Sequence, residues 1–342
     1  MNNSDSSRRD FLKQAAWIGA ASLTPNKLFS AGQSGDQQVP KRPLGKTGLQ
    51  VSYMGIGGYH LGSTKDQNEA NQIVGIALDA GINFFDNAWE YHDGLSESRL
   101  GTALAGKRDQ AILMTKVCTH GRGKDVAMQQ LEESLRRLHT DHLDVWQVHE
   151  VIYENDPDLI FAAGGAAEAL LQAKQQGKVR FIGFTGHKDP SIHLRMLSHD
   201  FPFDTVQMPL NCFDASFRSF ETRVLPEANK RGLAVLGMKS LGGSGEMVRK
   251  GGVTPEEGLS YAMSLPVATT ICGVDALNVL TQNLKIACGF KPLSEEAMNE
   301  LRNRSKTLAA DGRLELYKTT KKYDAAVGRQ QHHYPPESAL PA

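Results

Sequence analysis

The chain of 342 residues has no excess of either charge, with 38 Lys and Arg against 38 Asp and Glu. No net field is available to attract a nucleic acid or an anionic membrane. Cysteine is scarce: Cys118, Cys212, Cys272 and Cys288 lie far apart and form no C-x-x-C pair. That spacing argues against an iron–sulfur cluster or a thiolate zinc site and predicts free, packed thiols. The 11 histidines include no H-E-x-x-H. The nearby pair His139 and His142 falls in a polar turn before a strand, so no metal is expected. Long apolar runs are also missing, and the Ala-rich stretch after Arg8 and Arg9 is too short for a stable membrane anchor in the mature chain. What is present is an ordinary globular composition, 40% hydrophobic and 22% charged, sufficient to bury a large core.

The stretch "SSRRDFLKQAAWIGAASL" resembles a twin-arginine export signal, with Ser7, Arg8, Arg9, Phe11, Leu12 and Lys13 filling the specified positions. The resemblance implies a signal over residues 1–31, recognition by the twin-arginine export machinery and a periplasmic destination. No clear small-x-small cleavage triplet surrounds Ser30 and Ala31. Residues 32–40, polar and Gly-containing, read as a linker.

Beyond the linker, strand-like and helix-like segments alternate. Apolar runs begin near Val51, Asn83, Ala111, Leu143, Val179, Asp204, Leu233 and Ala268. Between them, Ile73, Ile76, Ala77 and Ala80 follow the spacing of one helical face, as do Leu131, Leu135 and Leu138 in part. "TPEE", from Thr254 to Glu257, offers an N-cap, a proline at the first helical position and a capping-box glutamate. Such alternation, without a two-domain break, predicts an α/β fold, a (β/α)8 TIM barrel over residues 41–310 followed by a tail of residues 311–342. A doubly wound sheet is the competing fold. "GIGGYHLG", residues 55–62, does not complete a dinucleotide fingerprint, because its glycines are expected to enter a polar loop, with the next helix only near Glu69.

In "GINFFDNAWEY" an apolar run ends in the carboxylate Asp86, with Tyr91 just beyond. The next two strands end similarly, "AILMTK" at Lys116 and "LDVWQVH" at His149. Strand ends of a barrel face one common site, so these four titratable groups should converge. Singly, each is a hydrogen-bonded core residue or a solvated loop charge. Jointly, they suit proton transfer. Tyrosine, with an ordinary pKa of about 10, is a reluctant acid or base near neutrality. A lysine ammonium against its oxygen favours the phenolate, and a buried aspartate keeps that lysine charged and aimed. An exposed ion pair, worth about 0 to 1 kcal/mol, is too weak for this, so the pair should be desolvated. The histidine would donate to the carbonyl oxygen that gains charge.

From about Pro43 to Phe290 the chain resembles the aldo-keto reductases, NAD(P)H-dependent barrel enzymes. "GINFFDNAWEYHDGLSESRLG" is similar to their signature of strand-end Asp, Tyr and Ser-Glu-x-x-Leu-Gly. The resemblance implies that Asp86, Tyr91, Lys116 and His149 are the catalytic tetrad, with Tyr91 the proton donor in carbonyl reduction. Cofactor contacts carry over with departures. Thr185 and Gly186 stand where the family has a Ser-Asn pair, Gln207 is kept, and Met238 replaces a stacking ring. Gln282 and Asn283 end the adenine-binding stretch. Gly273 and Val279 occupy positions where many relatives carry a cation for the 2′-phosphate, and Asp275 lies between them. Lys239 is one substitute cation. Gly57, and Leu241 at the head of the loop "LGGSG", complete the expected cofactor contacts. The choice between NADPH and NADH stays open.

The resulting expectation is an oxidoreductase acting on a small-molecule carbonyl or alcohol, such as an aldehyde, ketone or sugar. A cofactor-sensing or partner-binding barrel of the same fold is the alternative. A hydrolase or lyase would instead call for paired carboxylates or metal ligands at the strand ends. His187 and Lys188 in "TGHKD" could contribute to substrate binding. Tyr317, Tyr323 and Tyr334 of the tail either cover the pocket or pack on the barrel.

Overall fold

The apolar run at Val51 divides in two. Gln50–Ser52 (β2) pairs antiparallel with Lys41–Pro43 (β1), whereas the first barrel strand begins only at Met54–Gly57 (β3). The computed structural model describes residues 38–118 and 121–325, so the expected export signal and Tyr334 lie outside the described residues. The other strands are Phe84–Asp86 (β4), Ile112–Val117 (β5), Leu143–Val148 (β6), Val179–Thr185 (β7), Thr205–Pro209 (β8), Ala234–Met238 (β9) and Thr269–Gly273 (β10). They pair parallel in the order β10-β3-β4-β5-β6-β7-β8-β9, closing into a barrel with helices between the strands. The fold is the (β/α)8 barrel, not the open doubly wound sheet.

Side-chain alternation along each strand builds two apolar layers. Phe84, Met114, Val145 and Leu236 point into the barrel, where Leu44 and Val51 of the hairpin region join them. Their neighbours Phe85, Leu113 and Trp146 point outward into the larger core shared with the helices. Strands buried on both faces are continuous in hydrophobicity, which accounts for runs such as "ILMTKV" and "LDVWQV".

Helix Gln67–Asp79 starts where the Asp66 carboxylate accepts a hydrogen bond from the Glu69 amide at 2.9 Å. It buries Ala70, Ile73, Val74 and Ala77, with Ile76 and Ala80 at the border of that face. Helix Pro255–Ser264 begins with the expected capping box of Thr254 and Glu257. The "GIGG" stretch departs from expectation, since a short helix, Gly58–Leu61, follows β3 directly. A Cβ on Gly58 would lie 2.6 Å from the Asp86 carbonyl oxygen, so glycine lets this helix start against the neighbouring strand end.

No disulfide joins the described cysteines; Cys118, Cys212 and Cys272 are buried and Cys288 is half-buried. Among the described residues no helix is long and apolar enough to cross a membrane. The described part of the tail packs against the barrel. Tyr317 and Lys318 are buried on the short helix Leu316–Thr319, and Lys318 Nζ bonds Asp214 Oδ1 at 2.6 Å.

Candidate active site

Asp86 closes β4, and Lys116 stands on β5 beside it; their side chains are 6% and 1% exposed. Lys116 Nζ is ion-paired with Asp86 Oδ1 and donates to the Asn87 carbonyl at 2.6 Å. Gln207 on β8 donates through Nε2 to the other carboxylate oxygen, Asp86 Oδ2, at 3.3 Å. Two buried charges are thereby neutralised and hydrogen-bonded, the condition for holding them out of water.

Tyr91 begins a tight turn, Tyr91–Gly94, in which His92 and Asp93 adopt left-handed φ of 52° and 54°. The turn brings the Tyr91 ring over the ion pair, with Lys116 Nζ 5.0 Å from the ring centre, and sets the phenol oxygen 3.4 Å from His149 Nε2. Burial first, then the charges of Asp86 and Glu90, push the Tyr91 pKa well above its ordinary value. This differs from the expectation that Lys116 lowers it. The ammonium has committed its bonds to Asp86 and Asn87 and lies over the ring rather than on the hydroxyl. Tyr91 accordingly holds its proton firmly.

His149 follows β6 and is buried, which brings its pKa down to about 3, with Glu150 opposing and Lys116 reinforcing the shift. Its Nδ1 is bonded to Glu90 Oε1, a contact the sequence reading missed. Glu150, also missed, has a left-handed φ of 48° and accepts from the Ala325 amide at 2.9 Å. Burial raises its pKa to about 7. Arg122 fixes this strand end from behind by donating to the carbonyls of His149 and Glu150, each at 2.9 Å. Glu90, His149 and Glu150 present ligand-type atoms within 4.8 Å of one another, a grouping not expected from sequence. It belongs to the same pocket.

The expected cofactor residues lie on the remaining strand ends. Gly57 ends β3, Thr185 ends β7, Gln207 is on β8, Met238 ends β9 and Gly273 ends β10. Gln207 Oε1 is buried without a hydrogen-bond partner. A Cβ at Gly186 would lie 2.2 Å from the Val151 carbonyl oxygen, so the asparagine of the family pattern has no room there. At Gly273 the Cβ would fall 2.4 Å from His60 Nδ1, so the His60 ring, which the sequence reading also missed, covers that glycine. Met238 packs on the inner apolar layer and Leu241 on the outer one. On helix Leu277–Cys288, Asn283 is buried and Gln282 exposed, while Asp275 is exposed in the loop before it.

Lys239 has a left-handed φ of 55°. Its ammonium lies 5.6 Å from the Tyr317 ring centre and 5.4 Å from that of Tyr323. Burial lowers its pKa to about 8, and the charges that act on it most are Glu150, Lys116 and Asp86. Lys239 is thus coupled to the reacting groups. Lys188 is instead committed to the tail, donating to the Thr320 carbonyl at 2.6 Å and to Asp324 Oδ1 at 2.7 Å. His187 is buried and edge-on to Tyr317. His139 and His142 lie before β6, at the opposite end of the barrel.

The family model described as "Aldo/keto reductase family" matches residues 53–245. Among curated proteins, the chain is 31% identical over 208 residues to aldo-keto reductase YhdN of Bacillus subtilis, covering 56% of this chain and 59% of that protein. It is 35% identical over 159 residues to L-galactose dehydrogenase of Arabidopsis thaliana, covering 44% of this chain and 49% of that protein. These matches therefore span about half to three-fifths of the relatives' length. Among solved structures, aldo-keto reductase AKR11C1 from Bacillus halodurans, in its holo form, superposes with a TM-score of 0.67 at 25% identity, covering 81% of this chain and 99% of that one.

Proposed function

The chain belongs to the Aldo/keto reductase family, and from that premise we propose that it is an NAD(P)H-dependent oxidoreductase interconverting a carbonyl and an alcohol. The observation that carries this reading is the convergence of Asp86, Lys116, Tyr91 and His149, with the Tyr91 oxygen 3.4 Å from His149 Nε2 and the Lys116 ammonium over the ring.

The residues present fit a nicotinamide. The unpartnered Gln207 Oε1 is suited to accept from a carboxamide N–H, a contact that Gly186 cannot make. Thr185, at the end of β7, offers a hydroxyl. A reduced nicotinamide, when bound, supplies hydride to the carbonyl carbon. The protein's part is the proton and the charge. Tyr91, protonated at rest, donates to the substrate oxygen, and Lys116, held in place by Asp86, offsets the negative charge that develops on the phenol during the transfer.

For the substrate we propose a small hydroxylated molecule of the sugar type. Glu150 and Lys239 make the surroundings of the tetrad polar, which favours hydroxyl groups over an alkyl chain. A curated relative is named L-galactose dehydrogenase. The exposed Asp275 and the absence of a cation at Gly273 and Val279 favour NADH over NADPH, because a carboxylate there would repel a 2′-phosphate. The sequence "SSRRDFLK" supports export by the twin-arginine route to the periplasm, with the cofactor bound before translocation. Exchanging Arg8 and Arg9 for lysine should block export of a fusion, and unchanged export would exclude the signal.

The deciding test is a fluorescence titration with NADH and NADPH followed by a panel of sugars, sugar alcohols and alkyl aldehydes. Binding with turnover on hydroxylated substrates is expected. Binding without turnover on any of them would favour a cofactor-sensing barrel.

A further inference from the structure

Glu90 and Tyr91 are adjacent in sequence and grip His149 from its two nitrogens. Glu90 Oε1 is bonded to Nδ1, and the Tyr91 oxygen lies 3.4 Å from Nε2. A neutral imidazole carries one proton, and an ionised carboxylate can only accept. With Glu90 ionised, the shared hydrogen must therefore be on Nδ1, which leaves Nε2 as an acceptor facing the Tyr91 hydroxyl. An Nε2 that accepts from Tyr91 cannot also donate to the substrate carbonyl, the role expected of His149 from sequence.

We propose that Glu90 fixes the proton of His149 on Nδ1, so that His149 takes the hydroxyl proton of Tyr91 when an alcohol is oxidised. Glu90 is then a positioning residue, and the proposal rests on the hydride-transfer reading above. In that direction the alcohol O–H proton passes to the Tyr91 oxygen as the Tyr91 proton passes to Nε2. The C–O bond becomes C=O, and the hydride leaves the carbon for the oxidised nicotinamide. The imidazolium that forms is stabilised by Glu90, the arrangement in which a base is oriented by a third group. Burial keeps His149 neutral beforehand, with a pKa of about 3, and keeps Tyr91 protonated. The other charges acting on His149 are Glu150, Lys116, Asp86 and Lys239, an even balance of signs that leaves Glu90 as the only carboxylate bonded to the ring among the described residues.

The test is nitrogen-15 NMR of the imidazole on cofactor-free protein at neutral pH, with His149→Gln used to assign the signal. The expected result is a protonated Nδ1 and an unprotonated Nε2. A protonated Nε2 would overturn the proposal without any variant being made. In Glu90→Gln the preference should be lost and kcat for alcohol oxidation should fall by roughly 10²-fold, the lower range for a positioned acid or base, with KM within about threefold. Glu90→Asp should recover part of the rate. An unchanged tautomer and kcat in Glu90→Gln would also overturn the proposal. Because the spectrum is read without cofactor, failure to turn over any alcohol would count against the hydride-transfer reading alone, while the spectrum still decides the role of Glu90.

Discussion

Lys116 and Asp86 form an ion pair whose side chains are 1% and 6% exposed, and each charge depends on the other for its place in the barrel. Removing one partner strands the other, which typically costs about 3–5 kcal/mol in a buried pair. Lys116→Met should therefore destabilise the fold on that scale, measured by urea unfolding, because among the described residues the Asp86 carboxylate keeps only the 3.3 Å bond from Gln207. The double variant with Asp86→Leu should recover much of the loss. Equal destabilisation by the single and double variants would mean that packing, not stranded charge, is responsible.

Tyr91 is the only member of the tetrad expected to change the chemistry without loading the fold. Tyr91→Phe removes one hydroxyl whose bond to His149 is a long 3.4 Å. Carbonyl reduction should drop by at least about 10²-fold, in line with the loss of a general acid. Nicotinamide affinity, read by fluorescence titration, should change by no more than a few-fold. Substantial residual reduction would refute the proton-donor role.

Two glycines predict different responses to the same substitution. A Cβ at Gly186 would meet the Val151 backbone oxygen at 2.2 Å, whereas one at Gly273 would meet the His60 side chain at 2.4 Å. A ring can rotate away and a buried backbone carbonyl cannot. Gly186→Ala should cost roughly 1–3 kcal/mol of stability, the usual scale of overpacking. Gly273→Ala should cost less in thermal unfolding but weaken nicotinamide binding by displacing His60.

These contrasts show what the sequence could disclose. Asp86, Lys116 and His149 were legible because each ends an apolar run, and a barrel sends all such ends to one face. The capping box at Thr254 was legible because its signal is contained within a few residues. Glu90 was not, although it adjoins Tyr91, because its partner His149 stands 59 positions further along the chain, just past β6. Arg122, Glu150 and His60 act across strands that no local pattern connects. The division of the run at Val51 was hidden because Tyr53 alone separates the hairpin strand from the barrel strand, and only pairing partners distinguish them.

Glu150 and the buried histidines give stability opposite dependences on pH. Glu150 is raised to about 7 from an unfolded value of about 4.3. Between those values the folded state binds more protons, so this group lowers stability as pH rises. His149 and His187, both near 3, and His193, near 4, do the reverse. Their folded states bind fewer protons up to about pH 6.5, so stability should rise with pH across that range. Urea midpoints of the wild type should therefore climb from about pH 4 to 6.5, and Glu150→Gln should steepen the climb by removing the opposing group. A flat profile in both proteins would contradict these assignments.

The tail is tied to the pocket through Asp324 and Ala325. Asp324 receives Lys188 Nζ at 2.7 Å and the Tyr153 hydroxyl at 3.1 Å, and the next residue, Ala325, donates its amide to Glu150. Its side chain is 1% exposed, against 17% for Lys188, so the pair is shielded from solvent and salt. Asp324→Ala would leave the Lys188 ammonium without its carboxylate and loosen the segment that carries Tyr323 to Lys239. Limited proteolysis should then cut between residues 319 and 325 at a rate at least about tenfold above wild type, since susceptibility follows local opening, while the barrel stays intact. Lys239 would lose one of its two aromatic neighbours and become better hydrated, so its pKa should move up toward the ordinary lysine value. Carbon-13 NMR of reductively methylated protein reads that shift directly. Proteolysis at the wild-type rate together with an unchanged Lys239 would show that Tyr317 and Lys318 alone anchor the tail.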